Sequence, residues 1–599
     1  MANSLFRTKK ISSILSEGSD DSHGAGGLKR VLNVRDLTFF GIAAILGAGS
    51  FSSLGTAVFH GGPGVVLLFV ITAIACAFTA FCYSEFASRI PVAGSAYTYA
   101  YASFGELFAW VIGWALIMEY SIGNIYVAFS WSDYFTSFMD RCSIHIPHWL
   151  STSYVEAKNA VASHGNPEDI DAWNNAPLLG SMRIILDLPA LLINFLITYL
   201  VYRGVKESRN FSNVMVMIKL GVVALIIIIG GYLVFSMGTT HNWLPPDDSG
   251  VKNFMPNGFG GVMAAVSSVF FAYIGFDAVS VLAEESKNPQ RDLPRGMVLS
   301  LVICTVIYIL LTLVLTGAVN YRNFDGVGDP LAFIFEPQNL NVPWMQLSVA
   351  ICAVVAMTSV LLVFQMGQPR IWMSMSRDGL LPPVFQKIHP KYKTPSFATI
   401  ITGLVVGVPI LFTDKTFVLD FTSIATLFAF VLVCGGVLLI PRREKEQGRF
   451  HIPFINGQFV FPLIVIGSML MAYGLSKNYF TNMFNFDFSS NKDYTEGKIS
   501  FMDAATPNIS LIVFWFSALA LSGITFVKKY SLIPLMGLIT CMYLLTGMTK
   551  SNWAWFLGWL AIGLILYFLY GYKNSKLAKA AESEMANPTS HTGPDSLKE

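Results

Sequence analysis

The chain has 599 residues, of which 54% are hydrophobic and only 13% charged, with a formal net charge of +2 and a mean hydropathy of +0.56. Such a composition excludes a soluble globular enzyme and a nucleic-acid binder with a basic face, and it defines an integral membrane protein in contact with lipid.

A helix needs about 20 apolar residues to cross a bilayer. Stretches of that kind are predicted at residues 37–60, 64–88, 105–136, 183–203, 209–236, 259–283 and 296–319. Seven more lie at 345–371, 396–413, 417–440, 458–475, 508–527, 531–548 and 553–572, about 14 spans in all. The polar residues 1–36 hold no apolar core ahead of a small-residue cleavage site, so the first span is expected to direct insertion. Residues 1–36 and 573–599 read as disordered tails. Most of the 39 basic residues fall in the tails and in alternate loops, which places both termini in the cytoplasm and requires an even number of spans.

In the first span, Gly41, Gly47, Gly49 and Gly55 lie among Ala43, Ala44 and Ala48. Glycines in a membrane helix are commonly packing surfaces, but Gly47 lies about 11 residues, roughly 16 Å, into the span, near the bilayer midplane. In the sixth span, which enters from the opposite face, Ala272 to Gly275 is again near mid-depth, within Phe270-Phe271-Ala272-Tyr273-Ile274-Gly275-Phe276-Asp277. Two breaks at equivalent depth are the pattern of a carrier with discontinuous helices. A half-helix amino terminus stabilises a carboxylate and the carbonyls of a half-helix carboxyl end accept from an ammonium, so the two breaks together suit a small zwitterion.

Six of the seven cysteines (Cys76, Cys82, Cys304, Cys352, Cys434 and Cys541) fall in predicted spans, and Cys142 stands alone in the polar loop 140–182. No CxxC pair or His/Cys cluster at metal-ligand spacing exists, so no metal or cofactor is expected. The nine histidines form no catalytic constellation, which argues against a membrane enzyme. No continuous polar lining argues for a channel.

The motifs that carry a family resemblance are Ile45-Leu46-Gly47-Ala48-Gly49-Ser50-Phe51, then Tyr83 to Tyr97 (YSEFASRIPVAGSAY), then Gly113 to Tyr120 (GWALIMEY). They continue with the block Phe270 to Pro294, Gly367-Gln368-Pro369-Arg370 and Arg377 to Pro382. In this order, over about residues 30–450, the chain resembles the amino acid, polyamine and organocation transporter superfamily, and within it the cationic amino acid transporter branch. The resemblance implies an all-α membrane fold with two inverted five-helix repeats, residues 37–240 and 241–440, and broken first and sixth helices. About four accessory helices follow over 441–572. It implies a carboxylate site at the amides of Gly47, Ala48 and Gly49, and sixth-span ligands Phe270, Ala272, Tyr273 and Ile274. Ser50, where the family commonly has isoleucine, and Ala115, where relatives often carry an acid, depart from it.

Lys219 lies about 10 residues into the fifth span, where a charge costs roughly 2.5–3.5 kcal/mol and is expected to face the protein interior. By the resemblance, a lysine here takes the place of a sodium ion in related folds, which points away from sodium dependence and to proton coupling or facilitated exchange; a purely structural lysine is the alternative. Glu119, in the third span, is the second buried charge, a proton relay or a structural anchor. Met357 in the eighth span, beside Thr358 and Ser359, would narrow an apolar pocket. The sequence therefore favours a proton-coupled carrier of small or neutral L-amino acids in the plasma membrane over a lysine or arginine carrier, because a cationic side chain needs a polar pocket. A non-transporting amino acid sensor is the reading from another class.

Overall fold

The computed structural model describes residues 5–11, 13–14, 32–47, 49–91, 95–163, 166–180, 182–204, 209–246, 250–392, 394–441, 449–489, 492–495 and 499–579. Ala48 and most of both tails lie outside the described residues. Helices occupy all fourteen expected stretches. Among the described residues, nine are long and apolar enough to cross a membrane, or ten if the bent pair Gly258–Ala264 and Val266–Ser280 is one span. Three shorter apolar helices, Leu188–Arg203, Ser396–Ile410 and Leu532–Leu545, accompany them. The protein is thus an all-α, multi-pass integral membrane protein. Its strands, among the described residues, are the two-residue pair Leu178–Leu179 and Met182–Arg183, in the long loop after the third span.

Local sequence sets the helix ends. Asn33 and Asp36 form a capping box at the start of Val34–Ile45, satisfying amide groups that a helix start leaves unpaired. Pro189, Pro289 and Pro343 occupy first-turn positions, where the missing N–H is not needed. Gly204 ends Leu188–Arg203 in the left-handed conformation.

The layering follows from which helices are apolar on every face and which are covered by protein. The most apolar window of Glu106–Arg141 is 89% buried, making this long helix the centre of the molecule, whereas that of Gly457–Leu475 is 11% buried and faces lipid. The last helices add a smaller core of their own, built on Phe461, Val465, Phe514, Trp515 and Leu535. Lys550–Leu566 returns to the centre: the Trp559 and Trp114 rings stack 4.6 Å apart. Each indole N–H donates to the other residue's carbonyl, at 2.8 and 3.0 Å.

Candidate substrate site at two helix breaks

Two helices break where the sequence places glycines at mid-depth. The helix Val34–Ile45 ends at Leu46, and a wide-turn segment Gly49–Ser53 leads into Leu54–Gly61. In the second, Val266–Tyr273 gives way at Ile274, whose backbone is extended, and Gly275, at φ +115°, before the tight-turn helix Asp277–Glu285. A φ of +115° lies where side chains with a Cβ are strained, so glycine is the residue that lets the chain turn here.

The breaks are packed against each other. A Cβ placed on Gly49 would come within 2.5 Å of the Ala272 Cα, and one on Gly275 within 3.0 Å of the Ala44 carbonyl carbon. Tyr308, from Pro289–Ala318, clasps both: its hydroxyl lies 2.8 Å from the Ile45 carbonyl and 2.7 Å from that of Ala272. One hydroxyl carries one proton, so it donates to the two carbonyls in alternation or shares itself between them.

Between the breaks is a small cavity of about 10 Å³, lined by Ala44, Ile45, Gly49, Val127, Phe271, Ile274, Val360 and Phe364. Its walls are apolar, and its polar groups are those of the interrupted backbone. On one side it is covered by aromatics. The Phe271 ring meets Tyr126 edge to face at 4.5 Å. The Tyr126 hydroxyl reaches Ser52 at 3.4 Å, and Lys415, paired with Asp133, sits over the Tyr126 ring.

The sequence-predicted residues divide as follows. Gly49 and Ile274 line the pocket. Gly47 is one residue past the helix end, accepts amide bonds from Ser50 and Phe51, and packs on Val360. The Ser50 hydroxyl donates to the Gly47 carbonyl at 3.0 Å, tightening the break. Ala272 supplies the carbonyl held by Tyr308. Phe270 and Tyr273 are fully buried away from the pocket lining, Phe270 against Phe430 and Tyr273 donating to the Phe69 carbonyl at 3.0 Å. Met357 is buried too, but its helix lines the pocket through Val360, one turn on, and Phe364.

Lys219 is fully buried, and its ammonium donates to the Ser359 hydroxyl at 2.7 Å and to the Ala43 carbonyl at 3.3 Å. It thereby ties the helix before the first break to Pro343–Arg377, next to the pocket. Glu119 is also buried but outside the pocket lining, and its Oε2 finds no hydrogen-bond partner among the described residues. Sequence reasoning missed Tyr308, Val127, Phe271, Val360 and Phe364 as site residues. Each sits in a helix apolar on all sides, where periodicity does not mark the pocket face.

The fold and the paired breaks are those of a multi-pass membrane transport protein with discontinuous helices. Residues 32–493 match the model of the amino acid permease family. The chain is 35% identical to the branched-chain amino acid permease BcaP of Bacillus subtilis (strain 168), over 96% of this chain and all of the relative. It is 34% identical to the methylthioribose transporter of the same organism, over 96% of this chain and all of that relative. To cationic amino acid transporter 2, vacuolar, of Arabidopsis thaliana it is 32% identical, over 96% of this chain and 94% of the relative. The chain belongs to the amino acid permease family, in the amino acid, polyamine and organocation superfamily, and it is a transporter and not an enzyme.

Proposed function

We propose that this protein is a proton-coupled carrier of small or neutral L-amino acids working by alternating access in the plasma membrane, with both termini cytoplasmic. The observation that carries the substrate choice is the pocket wall: Val127, Phe271, Ile274, Val360 and Phe364 offer no counter-charge to a lysine or arginine side chain. A cationic side chain would lose its hydration there without compensation, while an aliphatic one gains burial at about 25 cal/mol per Å². The Gly47 N–H, expected from the resemblance to hold the carboxylate, already donates to the Ile45 carbonyl at 2.9 Å. The substrate carboxylate therefore takes the backbone amides on the Gly49 side of the first break, and its ammonium takes carbonyls at the end of Val266–Tyr273. The helices up to residue 240 and those of 241–440 act as two inverted repeats that place these breaks opposite one another.

Proton coupling rests on Lys219. Its ammonium holds Ala43 and Ser359, residues of two helices that border the pocket, so loss of the proton weakens the tie between them. A charge at that depth is costly, and release of the proton to one side offsets part of the cost. Glu119, buried with a free oxygen, is a second proton carrier on this reading.

The test is uptake of radiolabelled L-amino acids and methylthioribose into proteoliposomes, with and without an inward proton gradient, for wild type and Lys219→Ala. Gradient-driven accumulation of neutral amino acids that the variant loses supports the proposal. Preferential arginine or lysine uptake overturns the pocket argument, methylthioribose uptake alone overturns the substrate class, and gradient-insensitive exchange overturns the coupling. Ligand binding with no uptake by active vesicles favours a sensor.

A further inference from the structure

At the face that carries both termini, two segments from opposite ends of the chain converge on two carboxylates. Residues 5–9 run as a strap beside the start of Glu106–Arg141: Leu107 N–H donates to the Leu5 carbonyl at 3.1 Å, Glu106 N–H to Arg7 at 3.0 Å, and Lys9 N–H to Tyr101 at 3.1 Å. Gly105 packs so closely on Phe6 that a Cβ there would lie 2.5 Å from the Phe6 carbonyl carbon. The strap then reaches across to the end of Pro343–Arg377. Lys9 Nζ is 2.8 Å from one oxygen of Asp378, and the Tyr97 hydroxyl donates to the other at 2.6 Å.

The segment after the last helix holds the same two places. Lys576 N–H donates to the Asp378 carbonyl at 3.0 Å. The Ser575 hydroxyl donates to Glu106 at 2.6 Å, and the Tyr567 hydroxyl to its other oxygen at 3.0 Å. Tyr101 also reaches Glu106, at 3.3 Å. Glu106 is fully buried, so these donors replace water around a charge, and charge-assisted bonds of this kind are the strong ones.

We propose that the strap and the residues around Ser575 form one latch that keeps this face of the transporter closed, and that it must release for the substrate site to open to the cytoplasm. Its two anchors belong to elements that border the pocket: the helix of Glu106 carries Val127, and the helix ending beside Asp378 carries Val360 and Phe364. The accessory helices thereby act on the gate, since Lys550–Leu566 is locked to the central helix through Trp114 and Trp559 and delivers Ser575 to Glu106. The proposal rests on the alternating-access reading, and its consequence for accessibility is measurable without any uptake.

The reporter is Ser280→Cys, in a background with Cys142→Ser. Ser280 is fully buried on Asp277–Glu285 and hydrogen-bonded to Ser95, the first residue of the helix that carries Tyr97 and Tyr101. In inside-out vesicles, a membrane-impermeant maleimide is expected to label this cysteine several-fold faster when Lys9→Ala or Ser575→Ala is added, with the parent lacking Ser280→Cys as blank. The charge swap Lys9→Asp with Asp378→Lys is expected to return labelling toward the starting rate, which a merely misfolded variant would not do. Unchanged labelling in both single variants overturns the latch. A rise with Lys9→Ala alone overturns the role of the carboxy-terminal segment. Uptake measured on the same vesicles separates failure of the latch from failure of the transport reading, because labelling changes without uptake sink only the latter.

Discussion

Gly275→Ala is the substitution that tests most directly whether the second break is built or incidental. Two costs add. The residue sits at φ +115°, where a Cβ is strained by about 1–3 kcal/mol. The new methyl also meets the Ala44 Cβ at 2.9 Å and the Ala44 carbonyl carbon at 3.0 Å, and the second contact is with backbone that cannot rotate away. Overpacking of that kind costs about 1–3 kcal/mol. Together, about 2–6 kcal/mol falls on the conformer in which the breaks touch, so that conformer's population drops by a factor of roughly 30 or more relative to any state in which they separate. The assay pairs initial uptake rate with thermal stability in detergent, and uses Gly260→Ala as the control. Gly260 lies on the same span with nothing within 4 Å of its would-be Cβ, and it is expected to behave as wild type. Gly275→Ala that melts and transports as wild type does would refute the claim that the breaks are held in register by close backbone contact.

Other substitutions test the surrounding structure. Tyr308→Phe leaves the Ile45 and Ala272 carbonyls without their shared donor and should cost about 1–3 kcal/mol of stability by thermal melt, with a slower uptake rate. Val360→Ala removes two methyl groups from the pocket wall, and competition assays should show preference moving toward larger apolar side chains by about tenfold or more. Trp559→Leu removes an indole donor and a stacked ring from Trp114, for a loss of about 1–3 kcal/mol in melting experiments. Asp329, in the loop ahead of Pro343–Arg377, is pushed up to about 7 by burial, against the lowering effect of its bonds with Ser137 and Arg141. A folded-state value above the unfolded one stabilises fully below about pH 4 and is lost as pH rises through about 7. Melting temperature should therefore rise between about pH 8 and about pH 5 in this contribution, and Asp329→Asn should flatten that part of the profile.

Charge and conformational cost explain what was legible in the amino-acid order. Lys219 stood out because an ion inside an apolar run is expensive and so must be used, and the glycines at mid-depth stood out because they invite a break. The apolar stretches located the helices. The register of contacts was not legible, because a span apolar on every face gives no signal of which side meets the pocket. So Met357 was chosen from its helix where Val360 and Phe364 line the pocket, and Phe270 and Tyr273 were grouped with Ile274 although their side chains turn into the surrounding core.

By itself, then, the sequence determined the membrane setting, the helical architecture, the location of both breaks and the buried lysine. Only the tertiary structure decided that Tyr308 joins the two breaks, that Lys219 reaches Ser359, and that the last helix locks onto the central one. Those partners lie 36 to 445 positions apart along the chain. Local propensity acts over a turn or two, whereas a hydroxyl or an ammonium finds its partner across whole helices, wherever packing brings an acceptor within about 3 Å.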